Sequence, residues 1–98
     1  MTIIEFLQAA NGDAQLWAAD GQFLGTLSSN TSDPNSIINP NTFGNPFNHL
    51  SIQNQSWLYG GSLGLYSPYN YFSSNPPVII YQGQPVLIVT KNQGVETN

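Results

Sequence analysis

Few side chains in this chain of 98 residues could carry out catalysis. The only histidine, His49, is close in sequence to Ser51, and together with Asp33 these side chains supply the residue types of a hydrolase triad. The sequence has neither a nucleophile elbow nor a glycine-rich oxyanion loop after a strand-like segment, so a histidine in a surface loop is the simpler interpretation. We therefore predict that the protein is not an enzyme and has no catalytic residues.

Three aspartates, Asp13, Asp20 and Asp33, could bind a hard cation together with loop carbonyls. Calcium takes about six to eight oxygen ligands and usually needs several neighbouring carboxylates. Asp20 is better explained by the Asp-Gly turn that it begins, and Asp33 by the Asp-Pro-Asn turn before Ser36. One histidine and no cysteine give zinc almost no support. We predict no bound metal and no cofactor.

Aromatic side chains are the remaining candidates for a functional role, and many lie in the middle of the chain. The candidate interaction surface comprises Phe43, Phe47, Trp57, Tyr59, Tyr66, Tyr69, Tyr71 and Phe72. These rings could pack the turns of their own segment, or form a protein interface, where tyrosine and tryptophan are enriched. They could also stack on sugars while Asn and Gln bind the hydroxyl groups. We rank packing first, a protein interface second and a glycan site third.

The composition favours association with another protein surface. Only 6% of the residues are charged while 40% are hydrophobic, so the polar surface must consist of Asn, Gln, Ser, Thr and backbone. A surface without charge lacks the usual protection against association. We predict a structural or protein-interaction module, either an oligomer or a small subunit of a larger assembly. A carbohydrate-binding module is the alternative.

The charge balance argues against other partners. The net charge is −4 and Lys91 is the only basic side chain, whereas binding to phosphate backbones depends on Lys and Arg. The apolar runs Val78–Tyr81 and Val86–Val89 are far shorter than the roughly 20 residues of a membrane-spanning helix. The N-terminus lacks the pattern of an export signal, and there is no cysteine for disulfides. We predict no nucleic acid partner, no membrane insertion and a cytoplasmic location.

The chain is long enough for one small domain, which we predict to be mainly β. The start Thr2-Ile3-Ile4-Glu5 has the form of a capping box and predicts a short helix. The predicted elements are a helix at 3–10, a β-hairpin at 14–30, a turn-repeat segment at 31–77, a second hairpin at 78–92 and a mobile tail at 93–98. Together the hairpins form a four-stranded, mainly antiparallel sheet.

The two predicted hairpins resemble each other. When residues 16–30 are aligned with residues 78–92 without a gap, Gly21 falls on Gly83, Gln22 on Gln84 and Asn30 on Asn92. The Asp-Gly sequence of the first hairpin is typical of a tight turn. The run Val86–Val89 in the second is apolar at every position, which predicts that the N-terminal helix, the central segment or another subunit covers its second face.

The central segment is too long for an ordinary connection, because structureless loops beyond roughly 12–15 residues are uncommon in compact domains. It contains the pattern Ser-x-x-Asn at Ser36, Ser51 and Ser67. Asn and Ser side chains bind neighbouring backbone groups in turns, and repetition of a motif predicts repeated local structure. We predict an ordered series of turns with little regular secondary structure.

The chain contains five short motifs: GQFLGTLSSN at 21–30, DPNSIINP at 33–40, YGGS at 59–62, YSPYN at 66–70 and NPP at 75–77. These motifs resemble a family of small, mostly uncharacterised bacterial proteins that is frequent in cyanobacteria. The theme of that family is GxFLGxLSSNxxDPxSIxNPxGxYGSxYSPxSIxN, closed by Pro-Pro and a short strand pair. The similarity extends over roughly residues 14 to 92. The resemblance implies a bacterial origin and an ordered repeat segment, and it transfers no activity, cofactor or site residue.

Overall fold

A computed structural model describes residues 11–90, and these contain a four-stranded antiparallel sheet. The strands are β1 (Gln15–Trp17), β2 (Phe23–Thr26), β3 (Val78–Tyr81) and β4 (Gln84–Ile88). Their order across the sheet is β2-β1-β3-β4, so the first strands of the two hairpins pair at its centre. The prediction of a mainly β chain with this sheet is confirmed. The predicted helix at 3–10 and the tail at 93–98 lie outside the described residues.

The turns of the two hairpins differ in length. In the first, the Gly21 amide donates to the Ala18 carbonyl (3.0 Å) and the Ala18 amide donates to the Gln22 carbonyl (2.8 Å). This is a three-residue loop that ends in Gly21 at φ 90°, rather than the tighter turn that Asp-Gly predicts. In the second hairpin, Gln82 and Gly83 both have positive φ, as in a type I′ turn.

The two hairpins nevertheless share a bulge. Leu24 is the extra residue of β2, between the pairs Leu16↔Gly25 and Trp17↔Phe23. Val86 is the extra residue of β4, between the pairs Ile79↔Leu87 and Ile80↔Pro85. Leu24 and Val86 are also matched in the gapless alignment of the two hairpins. The alignment therefore matches a backbone irregularity as well as residue types.

The buried core lies between one face of the sheet and the central segment. Leu16 and Ile79 are cross-strand partners and are both buried, and Leu24 is fully buried. Ile52 and Tyr59 of the central segment complete this cluster. Side chains of the second hairpin, among them Val86 and Leu87, are only partly buried and pack against its rim.

The central segment is a coil of turns with a three-residue step. From Asn30 to Asn54, the amide of every third residue donates to the carbonyl three residues earlier, at 3.0 to 3.2 Å. The residues at this step are Asn30, Asp33, Ser36, Asn39, Thr42, Asn45, Asn48, Ser51 and Asn54. All are types that favour turns because their side chains can bind nearby backbone. The same step recurs from Gly61 to Ser73, and we call the whole arrangement the turn ladder.

Side chains of the turn ladder also join successive passes of the coil, that is, neighbouring stretches of chain six to eight residues apart in the sequence. The Asn39 side chain accepts from the Asn41 amide (2.8 Å) and donates to the Asp33 carbonyl (2.9 Å), six residues earlier. The Ser36 hydroxyl donates to the Ser28 carbonyl (2.7 Å), eight residues earlier. Asn70 repeats the first pattern and Ser51 the second. Ser and Asn of each Ser-x-x-Asn unit are therefore buried structural groups.

The turn ladder begins on the outer edge of β2. The Thr26 amide donates to the Asn35 carbonyl (2.6 Å), and the Ile37 amide donates to the Thr26 carbonyl (3.0 Å). Gly25 makes this approach possible, since a Cβ on it would lie 2.6 Å from the Ile37 side chain. The ladder thus satisfies backbone groups that an edge strand would otherwise expose.

Candidate interaction surface

The aromatic residues of the predicted surface divide into packed and exposed groups. Tyr59 is buried, and its ring stacks on that of Tyr66 with centroids 6.0 Å apart. Phe43 is partly buried and meets Phe23 edge-on at 5.3 Å. Tyr69 is also partly buried. For these four of the predicted residues, packing is the role that the geometry assigns.

Tyr59 ties the coil to the turn of the first hairpin. Its hydroxyl donates to the Asp20 carboxylate at 2.7 Å, while the other oxygen of that carboxylate accepts from the Gln22 amide at 3.1 Å. The hydrogen bond to Asp20, with burial and the negative charge of the same carboxylate, raises the pKa of Tyr59 to about 12. Both oxygens of Asp20 thus have structural partners.

The exposed group is strongly apolar. Phe47 is 85% exposed, Phe72 89%, Tyr71 60% and Trp57 48%. Leu63, which the sequence analysis did not select, is 87% exposed. Isolated apolar side chains on a surface are ordinary, whereas adjoining ones mark interaction sites. Whether these residues form an interaction site therefore depends on whether they adjoin one another.

Two adjoining depressions share the Trp57 side chain, and we call them together the Trp57 groove. One is lined by Gln55, Ser56, Trp57, Leu58, Gly61, Ser62, Leu63 and Gly64. The other is lined by Pro46, Phe47, His49, Gln53, Asn54, Gln55, Ser56 and Trp57. Their volumes are about 410 and 540 Å³. No carboxylate, lysine or arginine is among these lining residues.

Stacking and tight backbone packing fix Trp57 in the groove. The His49 ring stacks on the indole with centroids 4.5 Å apart and an angle of 19°. A Cβ on Gly61 would lie 2.8 Å from the Trp57 carbonyl oxygen, and one on Gly64 would lie 2.7 Å from the same atom. Glycine at these two positions allows the chain to pack closely against the Trp57 backbone, while the side chains of Trp57 and Leu58 are exposed.

The groove coincides with an interruption of the turn ladder. Among residues 11–90, the amide of Trp57 makes no three-residue bond to Asn54. At the next step the Trp57 carbonyl accepts from the Gly60 amide at 3.4 Å and, more closely, from the Gly61 amide at 2.8 Å. The step is therefore extended by one residue, and the three-residue step resumes from Gly61 to Gly64. The Ser-x-x-Asn units are therefore separated by 15 residues from Ser36 to Ser51 but by 16 from Ser51 to Ser67. This longer spacing is the sequence signal that could have identified Leu58 and Leu63.

The residue types of a hydrolase triad do not form one. The buried Ser51 hydroxyl donates to the Phe43 carbonyl, and the Asp33 carboxylate accepts from the Asn35 amide at 2.9 Å. His49 instead lies on Trp57. In the part of the chain from 11 to 90, no three His, Cys, Asp or Glu side chains come together as a metal site, and no helix is long and apolar enough to cross a membrane.

Comparison with known proteins gives no relative from which a role could be transferred. No protein-family model, curated protein or solved structure matches this chain. The resemblance to the cyanobacterial family stays a prediction.

Proposed function

We propose that this protein is a non-enzymatic interaction module that associates with a second copy of itself through the Trp57 groove. The observation that carries the proposal is the exposure of Phe47, Trp57, Leu58 and Leu63 in two adjoining depressions that share Trp57. Trp57 has the large area and polar tip that are enriched at the centres of interfaces. The structural roles of Ser51 and Asp33 support a module without catalytic chemistry.

The charges support a second copy as the occupant. Among the described residues, the carboxylates are those of Asp13, Asp20 and Asp33, and none of them lines the groove. A matching surface must therefore be neutral and apolar, because an unpaired charge buried there would cost free energy. The same groove on a second copy has this character, and a two-fold axis would pair like with like.

Sedimentation velocity over about 1 to 500 µM tests the proposal, because interfaces of moderate affinity dissociate in this range. We expect a concentration-dependent dimer in the unmodified protein. Leu63→Lys places a charge in the groove and should weaken association at least about 100-fold, as burial of an unpaired charge predicts. Phe72→Lys is the matched control, since Phe72 is as exposed as Leu63 but lines neither depression.

Two results would overturn self-association through this groove. One is a monomer at every concentration. The other is a dimer that Leu63→Lys and Phe72→Lys weaken equally, which would show a general effect of charge. If the chain is monomeric but captures a different protein in a manner that depends on Leu63, the occupant is a larger assembly rather than a second copy.

A further inference from the structure

A third depression lies beside the Trp57 groove and has a different character. It is lined by Ile52, Gln53, Gln55, Gly60, Ser62, Tyr69 and Tyr71, and we call it the tyrosine depression. Its volume is about 460 Å³, which falls within the roughly 300–1,000 Å³ of small-molecule sites. Tyr69 and Tyr71 line this depression but not the Trp57 groove.

Three polar side chains of this depression, those of Gln53, Gln55 and Ser62, are not used by the fold. In the turn ladder, buried side chains such as Asn39 and Asn70 both accept from and donate to backbone groups. By contrast, within residues 11–90 the side-chain amides of Gln53 and Gln55 make no hydrogen bond, and neither does the Ser62 hydroxyl. Each amide offers donors and an acceptor to a ligand.

These groups suit the hydroxyls of a sugar. A hydroxyl both donates and accepts, so it can be paired completely by a neighbouring amide or serine hydroxyl. The exposed ring of Tyr71 offers an apolar face with a polar tip, against which the C–H face of a pyranose can pack. No carboxylate, lysine, arginine or histidine lines the depression, so nothing in it would compensate a charged ligand.

We propose that the tyrosine depression binds one sugar unit of a neutral saccharide. The apolar face of the sugar lies on Tyr71, and its hydroxyls bind the amides of Gln53 and Gln55 and the Ser62 hydroxyl. Gly60 also lines the depression, and a Cβ on it would collide with the carbonyl oxygens of Asn54 and Ile52. This site does not require association through the Trp57 groove, but the two share Gln53, Gln55 and Ser62, so a sugar and a second copy compete for these residues.

Calorimetric titration with soluble pentasaccharides provides the test. The probes are cellopentaose, maltopentaose, xylopentaose and chitopentaose, with pentagalacturonic acid as the charged comparison. We expect saturable binding of at least one neutral probe with a dissociation constant between about 10 µM and 1 mM. Tyr71→Ala should weaken it at least about tenfold, because the ring supplies much of the contact area. The neighbouring Phe72→Ala should leave it unchanged, since Phe72 does not line the depression.

The proposal fails if no neutral probe approaches saturation at about 10 mM, the weak limit of useful affinity. It also fails if the charged probe alone binds, or if Tyr71→Ala binds as well as Phe72→Ala. Leu63→Lys separates this site from self-association, because Leu63 lines only the Trp57 groove. Sugar binding by a monomeric Leu63→Lys variant would support the saccharide site even where self-association is lost.

Discussion

The role of asparagine in the turn ladder can be tested at Asn39, where the side chain is buried and both ends are used. Asn39→Asp keeps the oxygen that accepts from the Asn41 amide but replaces the group that donates to the Asp33 carbonyl. The lost hydrogen bond costs about 1 kcal/mol. The new carboxylate is buried beside a carbonyl with no counter-charge, which adds about 2 kcal/mol or more. We expect the free energy of unfolding to fall by about 3 kcal/mol at pH 7, a large share of the roughly 5–15 kcal/mol of a small domain.

The penalty should depend on pH. Burial without a counter-charge raises the pKa of an introduced carboxyl above the usual value of about 4. The folded variant then holds its proton more tightly than the unfolded chain, so its stability recovers as the pH falls through the folded-state pKa. Once protonated, the carboxyl can again donate to the Asp33 carbonyl. At about pH 3, where protonation has restored the donor and removed the charge, the remaining loss should be below about 1 kcal/mol.

Urea unfolding followed by tryptophan fluorescence at both pH values measures these differences. Asn41→Asp is the matched control, because it adds the same charge two residues away at an exposed side chain that makes no hydrogen bond among residues 11–90. Asn39→Ala, which loses both side-chain bonds, should cost about 2 kcal/mol at either pH. If Asn39→Asp and Asn41→Asp were equally stable at pH 7, the bond between successive passes of the coil would contribute nothing.

Three further predictions concern the packing around the ladder. Because the pKa of Tyr59 is raised in the folded state, the stabilisation from this residue is complete below pH 10 and is lost as the pH rises towards about 12. In urea unfolding, Tyr59→Phe should therefore lose less stability than the unmodified protein over this pH range, and an identical pH dependence would refute the prediction. Thr42 has a buried hydroxyl without a partner among the described residues, so Thr42→Val should raise the free energy of unfolding by about 0.5–1 kcal/mol, and a lower urea midpoint would contradict this. Gly61→Ala should destabilise the fold by about 2 kcal/mol or more, because the added Cβ meets the Trp57 carbonyl oxygen, and unchanged thermal unfolding would count against it.

The strands could be predicted because their signals are local. The apolar runs of the two hairpins and the glycines of their turns specify where each strand ends, and β3 begins at Val78 as expected. The length of the first turn could not be predicted, because Asp20-Gly21 is compatible with both two-residue and three-residue loops. Tyr59, which binds Asp20 of this turn, is 39 residues away in the sequence, so the contact leaves no local signal.

The exposed and buried aromatic residues could not be separated from the sequence for a related reason. In a strand or helix, a regular period assigns each side chain to a face. In the turn ladder, the period of three predicts which polar residues are buried. It does not predict whether the other two side chains of each step face inward or outward, because that depends on how neighbouring passes pack. Tyr59 faces the sheet and Trp57 faces outward, although they are two residues apart.

The interruption of the ladder therefore carries more functional information than its regular part. Where the three-residue step is regular, the Ser and Asn side chains are buried and hydrogen-bonded to backbone groups, so they offer little to a ligand. Trp57 occupies a position where the three-residue step would place a turn-forming polar residue, and the step from Trp57 to Gly61 is one residue longer than the others. The free amide of Gln55 and the exposed side chain of Leu63 lie around this point. Deleting Leu58 would restore the 15-residue spacing without removing the buried Tyr59. We expect sedimentation velocity to show that the deletion abolishes the concentration-dependent dimer, and an unchanged dimer would contradict this reasoning.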